Sequence, residues 1–221
     1  MAGSAYFPPL AIRNSDAVDS PQHSAVVRIT HWINALSFFG LLASGIAILL
    51  AHPRLYWGET GNVGTPSLID LPLPFVLTGQ SGWGRSLHFL SAWVCVLNGS
   101  LYVISGFLMQ HFRWATRPGG TKSASEEEAL RYNVPQRLIY SAVVGILFPL
   151  MIWTGLAMSP AITSVFPALV TSLGGQQSAR TIHFFVTAFL ILFLVVHIAM
   201  VCLAGFKERV QAMITGVKVR T

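Results

Sequence analysis

Four long apolar stretches, separated by polar segments, dominate the pattern of this chain. They run over Val26–Ala51, Ser86–Gln110, Val134–Met158 and Arg180–Gly205. Each is long enough to cross a bilayer as a helix, which takes roughly 20 predominantly apolar residues. Because only short loops and tails remain, we expect an all-α protein with one domain. The pattern predicts a transmembrane four-helix bundle over residues 26–210, an N-terminal tail over 1–25 and a C-terminal tail over 211–221.

The composition agrees with a membrane protein. Of the 221 residues, 53% are hydrophobic and only 10% are charged, whereas about a quarter of the residues of a soluble domain are charged. Residues 1–25 are polar and lack the apolar run of a cleavable signal peptide. We therefore expect the first apolar helix to serve as its own uncleaved insertion signal.

The distribution of basic residues predicts the orientation of the chain. Eleven of the 14 lysines and arginines lie in the two tails, in the segment between the second and third helices, or at the helix ends next to these regions. The other two loops hold only Arg54, Arg85 and Arg180. By the positive-inside rule, both termini are expected to be cytoplasmic. The net charge of +6 therefore comes from basic residues that orient the protein in a lipid bilayer, and no nucleic-acid partner is expected.

Four of the seven histidines lie within or at the edge of the apolar stretches: His31, His88, His183 and His197. The last two are fourteen positions apart, which corresponds to a rise of about 21 Å and nearly four turns of an α-helix, so both face roughly one way near opposite sides of the membrane. With helices that alternate in direction, His31 pairs in depth with His197 on the inner side. His88 pairs with His183 on the outer side.

Paired imidazoles at two depths indicate two haem groups. Ionisable residues at such depth are costly and point to function. Two neutral imidazoles, one on either side of a haem iron, give a six-coordinate centre suited to electron transfer. Zinc usually takes a local tetrahedral cluster, which two separated pairs do not provide. There is no CxxCH motif for covalent attachment. We therefore predict two non-covalent b haems ligated by these four histidines.

Arginines recur three residues before three of the histidines, at Arg28, Arg85 and Arg180. Residues three apart share a helix face, and an arginine binds a carboxylate such as a haem propionate bidentately. These arginines are therefore predicted cofactor-binding residues. The alternative is ordinary snorkelling of long side chains at helix ends.

Two glycines return to the histidine face at the level of the other haem. Gly45 lies fourteen positions after His31, and Gly106 lies eighteen after His88. Glycine would let a flat porphyrin approach the backbone. Close helix packing through small residues is an equally good explanation.

Three segments, RITHWIN, GRSLHFLSAWV and ARTIHFFVTAFLILFLVVH, resemble the prokaryotic cytochrome b561 family over about residues 24–210. That superfamily includes the cytochrome b subunits of membrane-bound nickel–iron hydrogenases, formate dehydrogenase and thiosulfate reductase. YWGETGNVGTP and SARTIHF look most similar to members associated with periplasmic molybdopterin oxidoreductases. The resemblance implies a four-helix bundle in the bacterial inner membrane, two b haems on the four histidines, and a quinone site.

The expected function is electron transfer between a periplasmic redox partner, a molybdopterin oxidoreductase by resemblance, and the quinone pool. The outer loops Pro53–Gly84 and Ala161–Ala179 are the expected contacts with that partner. The inner helix ends near Arg28, His111 and Arg113 are candidates for the quinone pocket.

Two other functions stay open. Superoxide oxidase is a short four-helix member of the same family that passes electrons from superoxide to quinone, and Arg54, Arg85 and Arg180 could steer that anion. A haem-free membrane anchor is the second alternative. The four histidines argue against it.

Overall fold

The computed structural model describes residues 24–62, 64–73, 81–108, 139 and 142–216. Within these ranges the chain is mainly helical, with one short antiparallel hairpin at the end that the charge distribution predicts to be periplasmic; this end is called outer below, and the opposite end inner. The elements are α1 (Ala25–Ala51), β1 (Arg54–Leu55), β2 (Ile69–Asp70), α2 (Ser81–Leu108), a π-helical turn (Val143–Leu147) that continues into α3 (Phe148–Ala157), α4 (Pro160–Thr163), α5 (Ala168–Thr171), α6 (Gln176–Leu203) and α7 (Phe206–Thr215).

Local sequence explains where the long helices begin and end. The Ser24 hydroxyl accepts a hydrogen bond from the Val27 backbone N–H at 3.4 Å, which caps α1. The helix ends at the residue pair His52-Pro53, because the residue before a proline is disfavoured in the α conformation. Pro149, which has no N–H, stands at the start of α3, directly after the wider π-helical turn. Gly205, with a φ of 98°, separates α6 from α7.

Three described helices, α1, α2 and α6, are long and apolar enough to cross a membrane. The described part of the third predicted helix, Val143–Ala157, is shorter, and the predicted start at Val134 lies outside the described residues. Large apolar side chains such as Leu36, Leu90 and Leu97 point outward and are more than half exposed. An outward apolar surface of this kind suits contact with lipid, and the chain is an integral membrane protein.

Helices α1 and α2 pack closely through small and polar residues. A Cβ on Gly40 would lie 2.5 Å from the Ser91 hydroxyl oxygen, so a larger residue at this crossing would displace the Ser91 side chain. Towards the other end of the pair, the Asn98 amide donates to the Thr30 carbonyl and to the Asn34 side-chain oxygen, both at 2.8 Å. These contacts fix the register of α1 against α2.

A second pair, α3 and α6, packs around the buried apolar side chains of Val143, Val186 and Leu190. Phe38 of α1 packs against the same cluster. The cluster therefore joins the two helix pairs, and it occupies the stretch of α6 that lies between His183 and His197.

The outer segment after α1 is fastened to the start of α6. The Gly58 N–H donates to the Ser178 hydroxyl at 2.8 Å, and the Gly58 carbonyl accepts from the Gln177 backbone N–H at 3.0 Å. The Thr181 hydroxyl donates to the Tyr56 carbonyl at 2.6 Å. The part of the predicted outer loop that the structure describes is therefore folded onto α6.

The last described helix, α7, was not predicted and spans the expected boundary between residues 210 and 211. Its carbonyl end contacts the beginning of α1: Arg28 Nη1 donates to the Ile214 carbonyl at 2.8 Å, and Trp32 Nε1 donates to the Met213 carbonyl at 3.0 Å. The start of α1 and the end of α7 therefore lie on the same side of the molecule.

Candidate functional site

The candidate site is built around two opposed histidines, His88 of α2 and His183 of α6. Their ring centres are 6.2 Å apart, with an angle of 62° between the ring planes. With metal–imidazole bonds of about 2.0 Å and ring centres about 1.2 Å beyond the bound nitrogens, two imidazoles on opposite sides of one metal have centres roughly 6.4 Å apart. The spacing of this pair therefore fits two imidazole ligands of one metal ion.

Each of these rings has a hydroxyl partner. The Ser44 hydroxyl of α1 lies 3.0 Å from His88 Nδ1, and the Thr154 hydroxyl of α3 lies 2.9 Å from His183 Nδ1. Both hydroxyl-bearing residues are fully buried. The contacts engage Nδ1 of each ring and leave Nε2 as the nitrogen for a metal.

A glycine follows each hydroxyl residue and lies beside the same ring. A Cβ on Gly45 would be 3.8 Å from His88 Cε1, and a Cβ on Gly155 would be 3.7 Å from His183 Cε1. Gly45 was singled out in the sequence, whereas Gly155, Ser44 and Thr154 were missed. The signal that could have found them is a Ser-Gly or Thr-Gly pair in two apolar stretches. For Gly106, in the last turn of α2, the surroundings lie outside the described residues.

A cavity of about 400 Å³ opens at the outer end of the two helices that carry the pair. Its lining includes Arg85 and Arg180, each one helical turn from a site histidine, together with His52 and Gln177. The Arg180 guanidinium donates to the His52 carbonyl, and Gln177 Oε1 is buried with no hydrogen-bond partner. Two guanidinium groups give this cavity the charge to hold an anion such as a carboxylate.

His52, which follows α1 at the cavity wall, adds little charge at neutral pH. Burial lowers the pKa of His52, and the positive charges of Arg180 and Arg85 lower it further. The cavity is therefore positive through its arginines.

Arg54, the third outer arginine, is engaged elsewhere. It forms an ion pair with Asp70 across the β1–β2 hairpin, with 3.0 Å between Nε and Oδ2. The neighbouring Asp70 raises the pKa of Arg54 above its usual value. Of the three arginines considered for steering an anion, two line the cavity and Arg54 pairs with a carboxylate.

The inner histidines have aromatic neighbours. The His31 ring meets the edge of Trp32 with centres 5.5 Å apart, and the His197 ring stacks on Phe193 at 6.1 Å. The pairing of His31 with His197 stays a prediction. Nearby, Arg28 Nε is buried and has no hydrogen-bond partner, although Nη1 of the same residue caps α7. One donor of this guanidinium is therefore left for an anion.

Other metal chemistry finds less support in the described part of the chain. There, no cluster of three or more histidine, cysteine, aspartate or glutamate side chains is close enough to hold a metal ion. A structural zinc site usually takes four such ligands. A pair of imidazoles instead matches a metal whose other ligands come from a macrocycle. The quinone candidates His111 and Arg113 lie outside the described residues.

Comparison with known proteins identifies the family. A protein from Azospira oryzae named "Putative protein-methionine-sulfoxide reductase subunit YedZ1" is 29% identical over 206 residues, which is 88% of this chain and 96% of that relative. No solved structure matches. The family model for prokaryotic cytochrome b561 matches residues 22–216, a range that includes all four site histidines and the seven described helices. This chain therefore belongs to the prokaryotic cytochrome b561 family and is a membrane haem protein.

Proposed function

We propose that this protein is a di-haem cytochrome b of the bacterial inner membrane. It carries electrons between the quinone pool and a redox protein on the periplasmic side. The observation that carries the proposal is the separation of 6.2 Å between the His88 and His183 rings, which suits a single iron between them. Side chains from α1, α2, α3 and α6 surround this position.

The residues of the outer site have distinct roles in this proposal. His88 and His183 would hold the haem iron, and Arg85 and Arg180, which line the cavity, would bind the haem carboxylates. The haem, when bound, supplies reversible one-electron redox chemistry. With both histidines bound to its iron, the haem would serve in electron transfer rather than in binding a substrate.

The inner site lies fourteen residues further along α6. His197 and His31 are its ligands in the proposal, and the unpartnered Arg28 Nε is available to a propionate. Helix geometry separates His183 from His197 by about 21 Å along the membrane. Two redox centres at these depths would connect quinone near the inner side with a partner outside, and His111 and Arg113 remain candidates for the quinone pocket.

The partner is proposed to be a periplasmic molybdopterin oxidoreductase. The name of the Azospira relative describes a subunit of a protein-methionine-sulfoxide reductase, and a reductase receives electrons. If this chain serves a similar enzyme, electrons flow from quinol through the haems to the periplasm. Hydrogen bonds of Gly58 and Thr181 hold the outer segment against the start of α6, next to the outer site. Such a partner would dock there.

Haem stoichiometry and two histidine substitutions test the proposal. A pyridine haemochrome assay on the purified chain should give about two haems per chain. His183→Ala should remove mainly the outer haem and His197→Ala mainly the inner one, so each variant should lose a different component in a potentiometric titration. A wild-type chain without haem would overturn the proposal and favour the membrane anchor. Loss of the same component in both variants would overturn the assignment by depth.

A second candidate function is superoxide oxidation coupled to quinone reduction. It is favoured by the two arginines that line the outer cavity, because their positive charge would attract a small anion. If it is correct, the isolated chain should reduce a soluble quinone when superoxide is supplied. Arg180→Gln should slow that reaction most at low ionic strength. Absence of quinone reduction would exclude this candidate and leave the electron-transfer subunit.

A further inference from the structure

We infer that Ser44 and Thr154 are positioning residues that hold the outer histidines in the tautomer that binds iron. Each hydroxyl accepts the proton on Nδ1 of its histidine, so that Nε2 presents its lone pair to the metal. The inference rests on the proposed function, because it assigns a role towards the haem of the outer site. Ser44 and Thr154 are not ligands themselves, and their role is to keep the proton of each ring on Nδ1.

The hydrogen bonds of the two hydroxyls establish the direction. The Ser44 hydroxyl is 2.6 Å from the Gly40 carbonyl and 3.1 Å from the Leu41 carbonyl. The Thr154 hydroxyl is 2.8 Å from the Leu150 carbonyl and 3.0 Å from the Met151 carbonyl. A hydroxyl has one proton, and a carbonyl can only accept. We assign the proton of each hydroxyl to its own helix backbone, because in both cases the carbonyl four residues earlier lies closer to the hydroxyl oxygen than the histidine nitrogen does.

The remaining lone pair of each hydroxyl oxygen faces Nδ1 of a histidine, at 3.0 Å from His88 and 2.9 Å from His183. An oxygen that has already given its proton can only accept here, so Nδ1 carries the hydrogen. A neutral imidazole has a single N–H. Nε2 of both rings is then unprotonated, which is the form that ligates a metal.

This arrangement occurs twice on separate helices. Ser44-Gly45 belongs to α1 and serves the histidine of α2, whereas Thr154-Gly155 serves the histidine of α6 from α3. In both cases the hydroxyl contacts Nδ1, and the following glycine lies beside Cε1 of the same ring. Two independent occurrences argue against a chance contact of buried hydroxyls.

The bond also affects the strength of the ligand. Hydrogen bonding of the distal N–H to an acceptor raises the basicity of a metal-bound imidazole and fixes its orientation. A more basic imidazole favours ferric over ferrous iron. Removing the hydroxyls should therefore raise the midpoint potential of the outer haem and weaken its retention, by roughly 10- to 100-fold in affinity for partners of this kind.

The experiment uses the full-length haem protein in detergent. The variants are Ser44→Ala, Thr154→Val and their combination. Three quantities are measured: the midpoint potential of each haem, the low-temperature EPR signal of the ferric outer haem, and the rate of haem transfer to an apo-globin acceptor. We expect a higher outer potential, a shifted EPR signal and faster transfer, with the inner haem unchanged.

Two kinds of control separate positioning from packing. Ser37 on α1 is also buried and donates to the carbonyl four residues earlier, at 2.8 Å, so Ser37→Ala removes a comparable hydroxyl away from the outer pair. Ser44→Thr and Thr154→Ser keep a hydroxyl at each site and should restore the potential and the EPR signal. They also keep the test informative if an alanine variant fails to fold.

The outcomes distinguish the inference from the proposed function. If the wild-type protein binds haem and the double variant retains the same outer potential, EPR signal and transfer rate, the inference is wrong and the proposed function stands. If Ser37→Ala shifts the outer potential, the EPR signal and the transfer rate equally, Ser44 and Thr154 contribute only to packing and the inference is wrong. If the wild-type protein binds no haem at all, the proposed function fails.

Discussion

At the residue scale, the two glycines beside the outer histidines determine how much room remains next to Cε1 of each ring. A Cβ at Gly45 or Gly155 would make only an ordinary contact of 3.7–3.8 Å with the ring, so alanine is a weak test. Leucine would place branched carbons beside Cε1. We expect Gly45→Leu and Gly155→Leu to lower the content of outer haem severalfold without unfolding the chain.

Gly99 on α2 is the matched control for these substitutions, because a Cβ there meets nothing within 4 Å. Gly99→Leu should keep the wild-type haem content. Haemochrome content and helical circular dichroism, measured on the same samples, check the expectation. A full outer haem in both glycine variants would show that the space beside the rings is not needed by the macrocycle.

His52 is expected to make stability depend on pH. Burial and the charges of Arg180 and Arg85 hold its pKa below 6.5 in the folded protein. Below pH 6.5 the unfolded chain takes up a proton at this position more readily than the folded chain, so stability falls as the pH drops towards the folded pKa. Above pH 6.5 the residue has no such effect.

Replacing His52 by glutamine should remove this contribution. We expect the fall in thermal unfolding midpoint between pH 7.5 and pH 5.5 to be smaller for His52→Gln than for the wild-type protein in the same detergent. Comparison of the two chains cancels the titration of all other groups. An equal fall in both would mean that His52 titrates alike in the folded and unfolded states.

Sequence reasoning and structure differ most clearly at individual side chains. The four histidines were recognisable because an ionisable residue in an apolar helix is costly and its depth follows from helix length. Ser44 and Thr154 were missed, because a buried helical hydroxyl is normally satisfied by its own backbone. Their contact with a histidine depends on how two helices are rotated relative to each other.

At the element scale, α7 is expected to depend on the beginning of α1. Arg28 donates to the Ile214 carbonyl and Trp32 donates to the Met213 carbonyl, both at the C-terminal end of α7. Loss of one such hydrogen bond costs about 1 kcal/mol, or roughly fivefold in a local opening equilibrium. Arg28→Gln should therefore speed amide hydrogen exchange within 206–215 by about that factor.

Arg209→Gln provides the comparison for Arg28→Gln. Arg209 lies on α7 itself and makes only a long contact of 3.5 Å with the Ala204 carbonyl. This variant should leave exchange within α7 near the wild-type rate. If both variants behave alike, the contact with α1 does not hold α7 in place.

The ends of α1 could be predicted from the sequence, whereas α7 and the outer hairpin could not, and both outcomes have physical reasons. The apolar spans were predicted to within a few residues at both ends of α1, because capping and the His52-Pro53 step coincide with the hydropathy change. The segment FKERVQAMIT of α7 was expected to belong partly to the membrane domain and partly to a tail, since its apolar positions are few and mixed with charge. The outer hairpin depends on long-range bonds such as that between Gly58 and Ser178, which no local pattern reveals.

At the scale of the whole molecule, the two ends differ in character. At one end a folded outer segment and the arginine-lined cavity adjoin His88 and His183. At the other end, the capping contact with Arg28 holds α7 against α1. Three apolar spans separate the ends. If electrons cross the membrane, we expect the periplasmic partner to contact the first end, because the proposed site of His88 and His183 lies near it.

Site-specific photo-crosslinking tests this polarity. Trp57 and Leu68 of the outer segment are 60% and 57% exposed, so a photoreactive amino acid at either position would face a docked partner. We expect both positions to capture the same periplasmic redox protein in intact cells, identified by mass spectrometry as one that carries its own redox cofactor. Ile214 on α7, which is 62% exposed, is the matched position at the opposite end and should not capture it. Capture only from Ile214 would reverse the proposed arrangement. If no position captures a redox protein and the isolated chain reduces quinone with superoxide, the protein is a self-contained oxidase.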